Sequence, residues 1–466
     1  MKMSRIEELD TIDGEVFLLR PSQESLALLA EAPANGQRPS YMQDQHVRLR
    51  RAMERAGSAD ANWLGFCFDV PGPLDVDAFH RAATTWVRRH EVMWGTFRED
   101  PDDPSVEMTR HAIAPEELTL TVRPLGSHPG PEVNRVLLEH FTAAVNPVDN
   151  LGYALAGISG REHSTIFGAL DHCYGDGFSV LLAYMELSAL YAQETGGPAA
   201  PLPPATGYMT FAQTEREEAQ QFGIDHPAMQ FWADYAMDGA GVRDGFPMDL
   251  GIAEGERFWL IPMSYDILTG EECDRLEAIA KDEQATFPAV VYAALAMAAR
   301  DLAGRDAYRF LNPVATRTTP DLLPTMGWMV NVLPIHIPGG ADDGLFELAR
   351  AVRAKFREAR VCEPVPALRV VEVMNEVFGF SVEGTHRPAI VSYLDGRMIP
   401  GQEKWAQDRF YGTTGQGYDD DVNVWVNRTP TELYVMCSVP QTPTAVDSVD
   451  RFFTYASDLL RGALSR

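Results

Sequence analysis

A mixed α/β fold of two sandwich-like lobes is what the sequence predicts, and three observations predict it. Short alternating apolar runs of strand period and longer runs of helical period follow one another along the whole chain. A glycine- and proline-rich break, "GGPAAPLPP" at residues 196–204, defeats both kinds of element and divides the chain unequally. The 466 residues exceed one ordinary domain of about 150, and a 45% apolar content is enough to bury more than one core. The expected division is a first lobe over residues 1–195, a linker over 196–207 and a second lobe over 208–466. Both lobes use the same strand and helix vocabulary, with no internal repeat of roughly 20 to 50 residues.

The ordered part of the first lobe is expected to begin near Pro39, in "PSYMQDQHVRLRRAMERAG". Residues 62–70, "NWLGFCFDV", alternate as a half-buried strand does. The segment that follows, "GPLDVDAFHRAATTWVRRHEVMWGTF", sets Phe79, Ala82, Ala83, Trp86 and Val87 on one helical stripe. Next come the strand "LTLTVRPL" (118–125), the helix "EVNRVLLEHFTAAV" (132–145) and the strand "STIFGAL" (164–170). Phe178, Leu181, Leu182, Met185 and Leu190 then stripe a helix after Gly177.

In the second lobe "RFWLIPMSY" (257–265) is a strand, and "GEECDRLEAIAKD" (270–282) and "AVVYAALAMAARDLAG" (289–304) are helices. Pro288 suits the first turn of the latter. Then follow the strand "MVNVLPIHI" (329–337), the helix "GLFELARAVRAKFREARV" (344–361) and the strand "AIVSYL" (389–394). The strand pair "DVNVWVNRT" (421–429) and "ELYVMCSV" (432–439) leads to a closing helix, "SVDRFFTYASDLLRGAL" (448–464).

Composition excludes several classes of function. With 39 basic against 67 acidic residues the net charge is -28, a field that repels nucleic acid and anionic membrane. The start "MKMSRIEELDTIDGEV" lacks the apolar core of a signal peptide, and the longest apolar run, residues 287–299, is too short to span a bilayer. A cytoplasmic protein with no membrane span is expected. Cys67, Cys173, Cys273, Cys362 and Cys437 are odd in number, far apart and without a CxxC pair, so they read as reduced, mostly buried thiols.

Chemistry concentrates in "IFGALDHCYGDGFSVLLAYMEL", residues 166–187. Alternation through Ile166, Gly168 and Leu170 sends Asp171 and His172 to opposite sides of the strand end. Asp176 falls at the helix start, where it reads as an N-cap, and Gly177 lets the backbone turn closely. A lone histidine at a strand end can be structural or catalytic. A metal held by Asp171, His172 and Asp176 would lack HExxH or any second ligand pair, and none is expected.

"DHCYGDG" resembles the HHxxxDG motif of chloramphenicol-acetyltransferase-like proteins, the superfamily of nonribosomal-peptide condensation domains and polyketide-associated acyltransferases. The resemblance extends over nearly all of the chain and in the family's order. The segment "GPLDVDAFHRAATTWVRRHEVMWGTF" is similar to the family's LDxxALxxAxxxLxxRHExLRTxF helix. After the motif, "TRTTPDLLPTMGWMVNVLPIHI" is similar to its R...GxxxNxLPL segment, and "VSYLDGR" precedes the final hairpin. Within the superfamily, "PSYMQDQHVR", the Asp-His start, "SYLDGR" and "VWVNRT" look most like the free-standing polyketide-associated acyltransferases.

The resemblance implies two chloramphenicol-acetyltransferase-like lobes in a V-shaped pseudodimer, with His172 at the lobe interface in a tunnel. It implies an acyltransferase that takes an acyl thioester, on the phosphopantetheine arm of an acyl or peptidyl carrier protein or on coenzyme A, and makes an ester or amide on a small-molecule acceptor in natural-product or lipid assembly. No resident cofactor is implied, and a monomer is expected. His172 would be the general base, a role its near-neutral intrinsic pKa allows. Asp171, Asp176, Gly177 and Arg317 would form the motif scaffold, with Asp176 paired to Arg317. Ser179, Trp328, Asn331 and Tyr393 would line the tunnel or the lobe interface.

Asp171 stands where the family has its first histidine, a structural position there. Asp171, Asp176 and Ser179 also satisfy DxxxxDxxS, the signature of heterocyclisation domains, but those usually lack a histidine at the place of His172. A catalytically silent carrier-docking relative is the other alternative. Arg48, Arg50, Arg51 and Arg55 in "HVRLRRAMER" offer either a basic docking patch for an acidic carrier or a solvated helix face.

Overall fold

The computed structural model describes residues 2–55, 63–99, 108–146, 150–198, 201–238, 245–339, 344–379 and 390–465. Asn62 and Ala389, each the first residue of an expected strand, lie outside them, as do Ala199 and Ala200 of the break. The chain divides into two units: Met1–Gln221 with Ala315–Val330 and Gly401–Gly417, and Phe222–Val314 with Asn331–Pro400 and Tyr418–Arg466.

In chain order the strands are β1 (Lys2–Arg5), β2 (Gly14–Pro21), β3 (Leu64–Pro71), β4 (Gly95–Arg98), β5 (Thr109–Ala112), β6 (Leu120–His128), β7 (Tyr153–Ser159) and β8 (His163–Leu170). They continue as β9 (Phe258–Thr269), β10 (Ala307–Ala315), β11 (Val330–Pro338), β12 (Val391–Asp395), β13 (Tyr411–Thr414), β14 (Tyr418–Asp419), β15 (Asn423–Arg428) and β16 (Glu432–Pro440). The helices are α1 (Gln23–Glu31), α2 (Tyr41–Arg55), α3 (Val76–Arg89), α4 (Gly130–Ala144), α5 (Gly177–Glu194) and α6 (Tyr208–Ala219). After them come α7 (Pro227–Asp238), α8 (Gly270–Asp282), α9 (Phe287–Ala303), α10 (Leu345–Ala359), α11 (Ala367–Phe378) and α12 (Pro443–Ala463).

The first unit is built on a seven-stranded sheet in the order β1-β13-β3-β8-β7-β2-β6. All its pairs are antiparallel except β1 with β13. Strand β8, which delivers the motif, is therefore central, with β3 in register from Leu64 opposite Leu170. Side-chain alternation divides its neighbours between two helical layers. Cys67, Phe167 and Ala169 join Val133, Leu137 and Phe141 of α4 in one core. On the other face the Phe66 ring lies 6.4 Å from Trp86 of α3, and Phe68 lies 5.3 Å from Tyr184 of α5. All five apolar residues expected to stripe α3 are buried, and Asp75 caps it by accepting from Ala78 N.

The second unit holds a five-stranded sheet in the order β12-β15-β16-β9-β14 and the separate pair β10-β11. Its core centres on α9, where twelve residues from Phe287 to Ala299 are buried. Pro288 does fall in the first turn of that helix. No single helix among the described residues is long and apolar enough to cross a membrane. All five cysteines are buried and free.

Four expectations need correction. Order begins well before Pro39: β1, β2 and α1 precede it, and β2 pairs with both β6 and β7. Helix α6, assigned from the Gly/Pro break to the second lobe, packs within the first unit, where Glu215 accepts from Tyr41 N at 2.9 Å. The segment Ala315–Val330 and strand β13 also belong to the first unit, because hydrogen bonding unites strands irrespective of their distance along the chain. The arginine run is not a uniformly solvated helix face. Arg50 is buried, Arg48 pairs with Asp44 at 3.1 Å, and Arg51 and Arg55 both face Glu99.

Candidate active site

Strand β8 ends at Leu170, and the chain turns at once into a 3₁₀ turn over His172–Tyr174. Pleat alternation therefore does not continue to His172, and the turn, not the strand, aims it. Asp171 caps that turn, its Oδ1 accepting from Cys173 N at 2.9 Å. The same oxygen accepts from His46 Nε2 of α2 at 2.8 Å, and Arg50 Nε lies 3.7 Å from Oδ2. Burial alone would raise the Asp171 carboxyl. The charge and hydrogen bond of His46, with Arg50 and the Cys173 N–H, outweigh it and hold the group well below the usual carboxylate range.

His172 is half-buried, and its ring stacks on the Trp328 indole with centroids 3.7 Å apart and planes at 29°. The His46 ring stands 6.1 Å from His172 and 5.3 Å, edge-on, from Trp328. His172 Nδ1 is sealed from solvent with no hydrogen-bond partner, so the edge left for a substrate is the one that carries Nε2. Burial, and then the charge of His46, pull the imidazole down to about 4 against the opposing influence of Asp171 and Asp176.

Asp176 is the N-cap of α5 and the hub of the scaffold. Its Oδ1 accepts from Ser179 N at 2.9 Å and Ser179 Oγ at 3.0 Å. Arg317 completes a bidentate pair, Nη1 on Oδ2 at 2.6 Å and Nη2 on Oδ1 at 3.0 Å, with both side chains about nineteen-twentieths buried. Met329 N adds a bond to Oδ2 at 3.1 Å. Burial raises this carboxyl too, but Arg317 and the N–H donors hold it below its ordinary value. The pair anchors the segment that carries Trp328, and so couples the scaffold to the ring on which His172 stacks.

Gly327 shows how tight that segment is. A Cβ there would overlap the buried Tyr208 ring, whose hydroxyl is 2.9 Å from Ser40 Oγ and 3.0 Å from Trp328 O. Gly327→Ala is expected to cost about 1–3 kcal/mol of stability by overpacking. Turnover should fall with it as Trp328 shifts. Denaturant unfolding with an activity assay on the same sample checks both. Gly177 differs: it is exposed, and a Cβ there meets nothing within 4 Å, so the chain's own packing does not demand a glycine.

Of the expected site residues, the first unit brings together Asp171, His172, Asp176, Gly177, Ser179, Arg317 and Trp328. Asn331 and Tyr393 belong to the second unit. Asn331 Nδ2 donates to the carbonyls of Cys362, Glu363 and Val365, and its Oδ1 accepts from Ala367 N at 3.0 Å, so its amide is engaged in fixing the entry to α11. Tyr393 is half-buried on β12. Sequence reasoning missed His46 and Gln43, whose Nε2 donates to Cys173 O at 2.8 Å. The available signal was the helical spacing of Gln43, His46, Val47 and Arg50, all four buried. Among the described residues no cluster of three or more His, Cys, Asp or Glu side chains is placed to hold a metal.

Comparison with known proteins bears on the chain as a whole. The profile of the Condensation domain family matches residues 60–376. Trehalose-2-sulfate acyltransferase PapA2 of Mycobacterium tuberculosis is 26% identical over 450 residues, which cover 94% of this chain and 92% of that protein. Acyltransferase PapA3 of the same organism is 25% identical over 462 residues, with coverage of 94% and 92%. Among solved structures, a PapA2 acyl transferase superposes with a TM-score of 0.89 at 22% identity over the full length of both chains. The first condensation domain of the calcium-dependent antibiotic synthetase superposes with a TM-score of 0.66 at 17% identity, covering 92% of this chain and 97% of that one.

Proposed function

The chain belongs to the Condensation domain family and is an acyltransferase, and from that premise we propose that it passes an acyl group from a thioester to a hydroxyl or amine with His172 as general base. The donor is an acyl thioester on a carrier protein's phosphopantetheine arm or on coenzyme A. A hydroxyl acceptor is favoured, because the relative PapA2 is named for trehalose-2-sulfate. In the reaction the acceptor O–H gives its proton to His172 Nε2 as its oxygen attacks the thioester carbonyl. The tetrahedral intermediate then expels the thiolate, which recovers that proton from the imidazolium. At neutral pH an imidazole held near 4 is always in its accepting form, though a weaker base than a free one.

The observation that carries this reading is the placement of His172: its ring stacks on Trp328 with Nδ1 buried, which leaves the Nε2 edge for a substrate, whereas Asp171 accepts from His46 and Asp176 pairs with Arg317. The same observation disfavours heterocyclisation, which would lean on Asp171 and Asp176. Incubation with acyl thioesters and hydroxyl or amine acceptors, read by mass spectrometry, is expected to give a product of donor acyl plus acceptor. Loss of a further water from a cyclised residue would overturn transfer, and absence of turnover with every donor would return the silent-relative alternative.

A further inference from the structure

We propose that His46 is a positioning residue of the site, taking up the charge of Asp171 so that His172 stays neutral. The proposal rests on the reading of His172 as base. Asp171 is directly before His172 in the chain and its carboxylate is fully buried. An uncompensated carboxylate there would stabilise an imidazolium at His172 and remove the proton acceptor. An ionised carboxylate only accepts, so the 2.8 Å contact means that His46 Nε2 carries a proton and donates it. His46 is itself buried, at 8% exposure, in a setting where such a bond is strong.

The geometry ties this pair to His172 in two ways. Helix α2 grips the turn on both sides of His172, through His46 and Arg50 on Asp171 and Gln43 on Cys173 O. The His46 ring also abuts the edge of Trp328, the indole on which His172 stacks. The charged and titratable groups around His172 are Asp171 and Cys173 of the turn, Asp176 of α5, His46 and Arg50 of α2, and Arg317 of the segment before β11. Arg317 pairs with Asp176, and His46 and Arg50 both face the Asp171 carboxylate. Both carboxylates that act on His172 among the described residues therefore have a basic partner.

His46→Gln keeps an N–H donor toward Asp171 but removes the ionisable ring. Two readouts are taken on the same proteins: the pH profile of kcat/KM, and the titration midpoint of the His172 ring by NMR, which needs no substrate. In His46→Gln the midpoint and the acid limb are expected to rise together by about one pH unit. Adding Asp171→Asn should abolish that rise, since the charge it exposes is gone. A folded His46→Gln protein with an unmoved midpoint would overturn the proposal. So would a wild-type His172 that titrates at the ordinary imidazole value, a measurement that needs no variant to fold. His172→Ala distinguishes the two levels: if it retains turnover the base reading fails, whereas a dead His172→Ala beside an unmoved His46→Gln midpoint removes only the role of His46.

Discussion

His172→Ala lowers kcat/KM by about 10²- to 10⁴-fold and leaves the protein folded, the expected result if the imidazole takes a proton in the transition state. The ring is half-buried and its Nδ1 has no hydrogen-bond partner, so its removal forfeits mainly the stack on Trp328. The pH dependence of stability gives an independent check. The folded imidazole is pulled down to about 4, below the ordinary value of about 6.5. Its neutral burial therefore contributes stability above the unfolded value, and that stability is lost as pH falls through the folded one. The gap in unfolding free energy between wild type and His172→Ala should narrow from pH 7.5 to pH 5. Turnover assays and denaturant melts at both pH values test this, and a variant that unfolds at neutral pH would make His172 a structural residue.

The second large effect separates scaffold from chemistry. Asp176 and Arg317 form a buried bidentate pair, so truncating either strands the other's charge, at about 3–5 kcal/mol. Asp176→Ala should cost more than Arg317→Ala, because Asp176 also caps α5 and accepts from Met329 N. The double variant should lose less than the sum of the singles, the mark of two residues that meet. Activity should fall in all three as the segment carrying Trp328 loses its anchor. The Asp176 carboxyl is held below its ordinary value, so its contribution is present above about pH 4 and lost on further acidification. A double-mutant cycle by denaturant unfolding, with turnover measured alongside, decides the matter. Additive losses would show that the pair is not coupled.

Much of the site was legible in the chain because its signals are local. The apolar stripe of α3, the cap at Asp176 and the strand-to-helix switch around His172 are each written within one or two turns of sequence. Periodicity reports which face of an element is buried: it picked out the buried stripe of α3 and placed α8 to the residue. Periodicity is silent on what the buried face meets. Strand β13 has four residues and no alternation to read; it is a strand because β1 and β3 satisfy its backbone. The basic run of α2 had the composition of a solvated face, and Arg50 is buried because Asp171 lies within reach.

By itself, then, the sequence determined the mixed α/β class, the two-lobe organisation, the motif with His172 and Asp176, and the family resemblance, all properties of short segments or of their order. Only the tertiary structure decided that His46, 125 residues away, is the partner of Asp171, that Trp328 stacks on His172, and that β13 and the segment with Arg317 belong to the first unit. The physical reason is that hydrogen bonds, ring contacts and charge compensation act over a few ångströms of space regardless of chain separation. The pattern along a chain encodes each partner's preference for burial, and the fold chooses the partner.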